Sequence, residues 1–249
     1  MKFFKALRLL GEYALFTADT LKTILFLRKR RFIFVNQLKK IGYDSTLLII
    51  VTSAFTGLVT ALQATYQTKG YIPVSFISVM VSKAAMLELS PVLTALVLSG
   101  KVGATISAEI GSMKVTEQID ALESMSVNPH DYIYMPKVMA ALVMLPILTV
   151  LSVFVTIMSA YIFSYNVYDI SAYTFFFNMK VFFEPMDFWI GIIKAFCFAF
   201  IISSIATFNG ANTKNGAEGV GVSAKNTVVY SSIGILMMDF LVAHLFFGY

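Results

Sequence analysis

Five long apolar stretches dominate the sequence and restrict the folds open to it. About 20 mainly apolar residues cover the hydrocarbon core of a bilayer, and each stretch reaches that length. The chain is 58% hydrophobic and 13% charged, whereas a soluble domain carries about 25% charged residues. The sequence therefore predicts an all-α integral membrane protein with five transmembrane helices, over residues 47–66, 76–102, 138–163, 188–208 and 228–247.

The N-terminal segment, residues 1–44, differs from the rest of the chain in its charge. It holds ten of the 19 lysines and arginines. Charged residues interrupt its apolar residues, which is typical of an amphipathic helix lying along the membrane interface. The sequence thus divides into an interfacial, cytoplasmic basic segment (1–44) and a five-span domain (45–249). An anionic lipid leaflet suits the basic segment better than nucleic acid does, and nucleic-acid binding is not expected.

The basic residues also predict an orientation. Lysine and arginine concentrate in the cytoplasmic loops of membrane proteins, so we expect the N-terminus in the cytoplasm. Five crossings then leave the C-terminus on the outer side. The loop 209–227 contains Lys214 and Lys225 and fits the inside, while the more acidic loop 164–187 fits the outside.

Glu88, Lys194 and Asp239 fall deep inside the apolar stretches, whereas Lys83 and Lys101 lie near the ends of the second one. A charge at the centre of a transmembrane helix costs at least about 2.5–3.5 kcal/mol on insertion scales. Such a residue is usually paired or faces a water-filled cavity. One interpretation is a static ion pair that locks helices together, and the other is a role in coupling or in contact with a ligand.

The connector between the second and third spans, residues 109–131, is acidic although it should lie in the cytoplasm. We predict a helix over about 112–127, capped by Ser112 and ended by Asn128-Pro129. An acidic, two-faced helix beside a membrane domain favours docking of a soluble partner, and the alternative is an ordinary interfacial helix. Its acidic residues, opposed by Lys114, are Glu109, Glu117, Asp120, Glu123 and Asp131.

Signals for catalysis are weak throughout. The glycine-rich residues 216–225 lack the Gly-Lys-Ser/Thr ending and the preceding strand of a phosphate-binding loop. His130 and His244 are isolated in the sequence, so no metal site is predicted. Cys197 has no evident base. We therefore predict no catalytic residue and no cofactor bound by this chain.

Three runs in and around the connector resemble the signature of the MlaE/YrbE-type permeases. They are Glu-Leu-Ser-Pro (88–91), Leu-Ser-Gly-Lys-Val-Gly-Ala (98–104) and Ala-Glu-Ile-Gly-Ser-Met-Lys-Val-Thr-Glu-Gln-Ile-Asp-Ala-Leu (108–122). The resemblance covers roughly residues 35–248. These permeases are the membrane subunits of ABC transporters that work with MCE proteins on phospholipids and other lipids.

Two departures from the family pattern concern charge. The family usually has arginine where this chain has Leu87, so Glu88 lacks that neighbour, and Lys194 or Lys83 is a candidate substitute. The family's Gly-Arg-Val-Gly is here Gly-Lys-Val-Gly, and Lys101 keeps the charge without the forked donors of a guanidinium.

The resemblance implies an N-terminal interfacial helix, five spans and a homodimer. The helix in the connector would be a coupling helix that sits in a groove of a cytoplasmic ATPase, and that ATPase would bind the ATP and magnesium. The residues that we assign to this contact are Glu109, Lys114, Glu117, Gln118 and Asp120.

The resemblance also implies a lipid cavity that opens toward an MCE protein on the outer side of a bacterial inner membrane. Gln63, Tyr66 and Tyr71 near the outer end of the first span are candidates for its lining. The expected function is ATP-driven movement of phospholipid. A small regulatory subunit is a further possible partner. Alternatives are the same architecture moving a sterol or another apolar substrate, and a non-transporting membrane scaffold.

Overall fold

The computed structural model describes residues 2–24, 30–68, 73 and 76–248, and these residues form helices without any strand. The helices are α1 (Lys2–Lys22), α2 (Arg31–Leu38), α3 (Asp44–Thr68), α4 (Ile77–Ala84), α5 (Ser90–Leu98), α6 (Ala104–Val115), α7 (Gln118–Ser124), α8 (Met135–Tyr168), α9 (Ala172–Val181), α10 (Pro185–Ala211) and α11 (Gly216–Phe247).

Among the described residues, five helical segments are long and apolar enough to cross a membrane, which confirms the predicted all-α membrane fold. They are Arg31–Gln67, Ile77–Val115, His130–Tyr168, Pro185–Ala211 and Gly216–Phe247. We refer to them as the first to fifth spans. Each predicted apolar stretch falls in a separate span, with Phe76 one residue ahead of the second. The spans exceed the apolar stretches because their polar ends continue the same helices.

Short π-helical turns interrupt the spans at Lys39–Tyr43, Ala85–Leu89, Ser99–Gly103 and His130–Tyr134. Such turns are rare and often mark functional positions. The turn at Ala85–Leu89 directly precedes Ser90 and Pro91. Proline has no N–H to donate and crowds the carbonyl of the residue four positions earlier. The wider turn therefore occurs where an ideal α-helix would clash.

The chain forms two compact units. The first comprises the described parts of 1–41 with 98–144 and 198–235, and the second comprises 42–97, 145–197 and the described part of 236–249. In the first unit, a hydrogen bond of 2.6 Å between the hydroxyls of Tyr13 and Ser204 joins α1 to α10. Leucines at positions 7, 9, 10 and 15 of α1 stay exposed, which suits a helix at a membrane interface.

The second unit has a core of small and branched side chains. Ala61 and Ala64 of α3 pack with Val81 of α4, Ile157 of α8 and Phe175 of α9. Small residues let transmembrane helices approach closely, where packing replaces the hydrophobic driving force that lipid does not supply. Gly57 of α3 is such a residue, because a Cβ there would lie 2.2 Å from the carbonyl oxygen of Thr156 in α8.

Gly57→Val should therefore force α3 and α8 apart. Overpacking of a close contact costs about 1–3 kcal/mol, and we expect a lower melting temperature and loss of the 2.8 Å hydrogen bond between Ser53 and Ser152. Heating followed by size-exclusion chromatography in detergent measures the effect. Gly100→Ala is the control, since nothing lies within 4 Å of a Cβ at Gly100. Equal stability of the two variants would contradict the close contact.

Candidate functional site

Glu88, Lys194 and Asp239 meet inside the second unit and form the charged triad. The Nζ of Lys194 lies 2.7 Å from Oε1 of Glu88 and 2.7 Å from Oδ1 of Asp239. The lysine side chain is 0% exposed, while those of Glu88 and Asp239 are 45% and 22% exposed. The triad joins the second, fourth and fifth spans. Glu88 and Asp239 therefore share Lys194 as their ion-pair partner.

Two local features bring the triad together. Glu88 lies in the π-turn Ala85–Leu89, which shifts its side chain relative to an uninterrupted α-helix. Gly191 lies one helical turn before Lys194, and a Cβ there would be 2.3 Å from the carbonyl oxygen of Met86. The absence of a side chain at Gly191 lets α10 approach this π-turn. Lys194 therefore reaches Glu88.

The charges of the triad do not balance. One ammonium contacts two carboxylates, so the ionised triad carries an excess negative charge. A buried ion pair rarely adds net stability over apolar packing, because desolvation offsets the attraction between the charges. The lysine is enclosed and the carboxylates are partly open, so the open side of the triad is acidic. This arrangement can offer acceptors to a polar group at membrane depth.

Lys83 has a different role from the one that its position near Glu88 suggested. Its Nζ lies 2.7 Å from Oε1 of Glu184 and 3.3 Å from Oδ2 of Asp187. Of the two lysines considered as substitutes for the family arginine, Lys194 is therefore the partner of Glu88. In the sequence, Glu184 and Asp187 stand out only as charges of the loop 164–187. The signal available was a pair of acids at the start of one span and a lysine in another.

The connector contains a break that the sequence did not predict. The helix α6 continues to Val115, so Ser112 lies inside it rather than at a cap. Glu117 adopts a left-handed conformation with φ of 59°, and α7 begins after it at Gln118. The expected single helix over about 112–127 is thus two helices joined by a tight turn. A salt bridge of 2.6 Å between Lys114 and Asp120 spans the break.

The exposed surface of the connector is acidic. Glu117, Gln118, Asp120 and Glu123 are exposed, and Met125 is exposed beside them. Ile119 is buried and anchors α7. Four of the residues assigned to ATPase contact, Lys114, Glu117, Gln118 and Asp120, thus lie in or beside the turn between α6 and α7. That role stays a prediction.

Glu109, the fifth residue of that set, lies in an ion network within the first unit. Its carboxylate contacts Lys137, which is almost fully buried, and lies 3.1 Å from the Nζ of Lys40. Lys137 also donates a hydrogen bond of 3.4 Å to Gln37. This network links the first, second and third spans. Lys137 is not conspicuous in the sequence, because it lies just ahead of the apolar stretch 138–163.

The end of the connector is held by α1. The hydroxyl of Thr20 lies 2.8 Å from Nδ1 of His130, and the ring of Phe16 packs against the same imidazole at a centroid distance of 4.9 Å. Arg30 contacts the carboxylate of Asp131 at 3.3 Å and lies over the ring of Tyr132. The N-terminal basic segment is therefore joined to the residues that follow α7.

Two of the residues proposed to line a lipid cavity are exposed on α3. Gln63 is exposed, and Tyr66 is 81% exposed. Tyr71 lies outside the described residues. Among the residues that are described, no three His, Cys, Asp or Glu side chains gather as a metal site would require.

The described residues form five helical segments long and apolar enough to cross a membrane, with paired charges at membrane depth, which indicates a multi-pass membrane protein. Residues 34–245 match the family model described as Permease MlaE. The chain therefore belongs to the MlaE permease family and is a transport permease subunit.

Relatives support the same assignment. A probable ABC transporter permease protein of Rickettsia bellii is 35% identical over 238 residues, covering 96% of this chain and 92% of the relative. One from Synechocystis is 36% identical over 213 residues, covering 86% and 81%. The chloroplastic protein TRIGALACTOSYLDIACYLGLYCEROL 1 of Arabidopsis thaliana is 34% identical over 213 residues, covering 86% of this chain and 61% of that protein.

Replacing Lys194 alone should lower the stability of the protein more than replacing all three residues of the triad. Lys194→Met leaves Glu88 and Asp239 without their partner, and loss of one member of a buried pair costs about 3–5 kcal/mol. We expect low yield and a lowered melting temperature. Adding Glu88→Gln and Asp239→Asn removes the unpaired charges and should recover both.

Yield and thermal stability in detergent measure this effect. Lys225→Met changes an exposed lysine on α11 and serves as the matched control. A single Lys194→Met variant as stable as the control would contradict a structural role for the pairs.

Proposed function

We propose that this permease moves phospholipids between a bacterial inner membrane and an MCE-protein channel, driven by a separate ATPase. The observation that carries the proposal is the charged triad, which holds an acidic, partly open group inside apolar spans. A phospholipid needs an apolar path for its acyl chains and a few polar partners for its headgroup. The name of the Arabidopsis relative contains that of a glycerolipid, trigalactosyldiacylglycerol, which supports a lipid as the substrate class.

The exposed apolar faces of the first and fifth spans support the same proposal. In the most apolar 18 residues of each span, 28% of the residues are buried in the first span and 17% in the fifth. The same segment of each other span is 50% buried. On α11 the exposed side chains include Leu236, Met237 and Phe240. We propose that a second copy of the chain covers part of this surface and that the two copies enclose the lipid cavity.

The connector is proposed as the docking site of the ATPase, which would bind ATP and magnesium. An ABC transporter permease works with such an ATPase in general. The exposed carboxylates of Glu117 and Glu123 have no ion-pair partner among the described residues, so they are available to basic groups of a partner. The basic N-terminal segment then lies in the cytoplasm, and the C-terminus and the MCE protein lie on the outer side.

Charge reversal in the connector tests the docking site. Glu117→Lys combined with Asp120→Lys should abolish co-purification of the ATPase, because basic groups of the partner would meet lysines. Membrane insertion and yield should change little, since both side chains are exposed and the salt bridge of Asp120 with Lys114 lies at the surface, where such pairs contribute about 0–1 kcal/mol. Glu218→Lys, a reversal at an exposed acid of α11, is the control. Undiminished co-purification of the ATPase with the double variant would remove the docking role.

Lipid transfer in proteoliposomes tests the substrate. The purified transporter complex should carry phospholipid detectable by mass spectrometry and should exchange labelled phospholipid with the MCE protein only when ATP is present. The triple variant Lys194→Met, Glu88→Gln, Asp239→Asn should fold yet transfer lipid at least tenfold more slowly. Transfer of a labelled sterol without phospholipid would favour the sterol alternative. A complex without bound lipid or ATP-dependent transfer would favour the scaffold.

A further inference from the structure

A group of hydroxyl side chains lines a small cavity within the second unit, and we call it the hydroxyl pocket. Its volume is about 10 Å³, and Leu89 and Leu93 complete its wall. None of the described residues that line it carries a charge. The hydroxyls come from α3, α5 and α8 and belong to Thr52, Ser53, Thr56, Ser90, Thr94, Ser152 and Thr156.

Two of these hydroxyls have no hydrogen-bond partner among the described residues. Ser90 and Thr94 are 1% and 3% exposed, and neither Oγ of Ser90 nor Oγ1 of Thr94 is bonded. The other hydroxyls of the pocket take part in hydrogen bonds, either within their own helix or between α3 and α8. Thr56, for example, donates to the carbonyl of Thr52 at 2.8 Å, as threonines in transmembrane helices commonly do.

The π-turn explains why Ser90 lacks this local bond. Its backbone N–H donates to the carbonyl of Ala85, five residues earlier instead of four. The carbonyl of Met86, which a serine at position 90 would reach in an α-helix, faces α10 at Gly191. The same distortion that brings Glu88 to Lys194 thus leaves a buried hydroxyl pointing into the pocket.

We propose that the hydroxyl pocket binds one water molecule, held by Ser90 and Thr94 and linked to the bonded pair Ser53 and Ser152. Buried polar groups are almost always hydrogen-bonded. A site admits a water when it offers about 10–15 Å³ and two to four polar partners, and this pocket meets both conditions. Ordered waters and Ser/Thr side chains commonly satisfy the groups freed at a proline in a transmembrane helix.

A water fits the pocket better than a cation does. The pocket offers hydroxyl oxygens but no carboxylate, and bound cations in proteins are usually held by carboxylate or carbonyl oxygens. The water lies at the break between α4 and α5, beside Pro91 and two residues from Glu88. It satisfies the two hydroxyls that the break leaves without a partner. This site does not depend on which substrate the permease moves.

The direction in which a substitution shifts the melting temperature tests whether the pocket holds a water. Thr94→Val keeps the shape of the side chain and removes the hydroxyl. If the water is bound, the variant removes one of its partners, and the melting temperature of the full-length chain in detergent should fall by about 2–4 °C. If the pocket is dry, the variant removes an unsatisfied polar group, and the melting temperature should rise.

Matched variants separate this effect from general damage. Thr94→Ser retains the hydroxyl and should stay close to the wild-type melting temperature. Thr149→Val changes another buried threonine of the third span, whose hydroxyl donates to Leu145 in its own helix at 2.9 Å, and should lower it less than Thr94→Val. A higher melting temperature for Thr94→Val and for Ser90→Ala would overturn the proposal.

Two further measurements use the unmodified protein. A high-resolution cryo-EM map of the transporter complex should show density within hydrogen-bond distance of Ser90 and Thr94. A map that resolves other internal waters but none here would overturn the proposal. Replacing sodium chloride by choline chloride should leave the melting temperature unchanged, whereas a sodium-dependent increase would mean that a cation occupies the pocket instead.

Discussion

The contact of Lys194 with Glu88 and Asp239 sets the register of three spans. Helices in lipid gain no hydrophobic driving force from meeting each other, so specific contacts decide how far one slides along the next. A shift of one helical turn, about 5.4 Å, would break contacts that are 2.7 Å long. The fully buried lysine would then lose its carboxylates. The π-turn before Pro91 and the bare backbone at Gly191 both serve this contact.

The first unit uses a second ion network to the same end. Glu109 joins Lys137 and Lys40, while Thr20 holds the imidazole of His130. These contacts fix both ends of the connector, at α6 and at the π-turn that follows α7. Its exposed acids are thereby held on a rigid base. The carboxylate of Glu109 is engaged by lysines of its own unit, whereas the side chains of Glu117 and Asp120 are exposed.

The sequence predicts the spans well because apolar length alone decides them. It also identifies Glu88, Lys194 and Asp239, since a charge in an apolar stretch is conspicuous. It does not predict that they meet, because that depends on a π-turn and on the approach of α10 at Gly191. Lys137 escapes notice for a related reason, as its burial follows from helix packing. The left-handed Glu117 splits the connector where composition suggested one helix.

The charge imbalance of the triad bears on the choice between a transporter and a passive scaffold. A scaffold needs helices locked together, and apolar packing of similar volume does this at least as well as a buried ion pair. Here one lysine serves two carboxylates, and both carboxylates are partly open while the lysine is enclosed. Polar groups that reach the open side would stabilise these carboxylates. A membrane protein that must admit a polar headgroup among apolar spans has a use for such a site, and a static anchor has none.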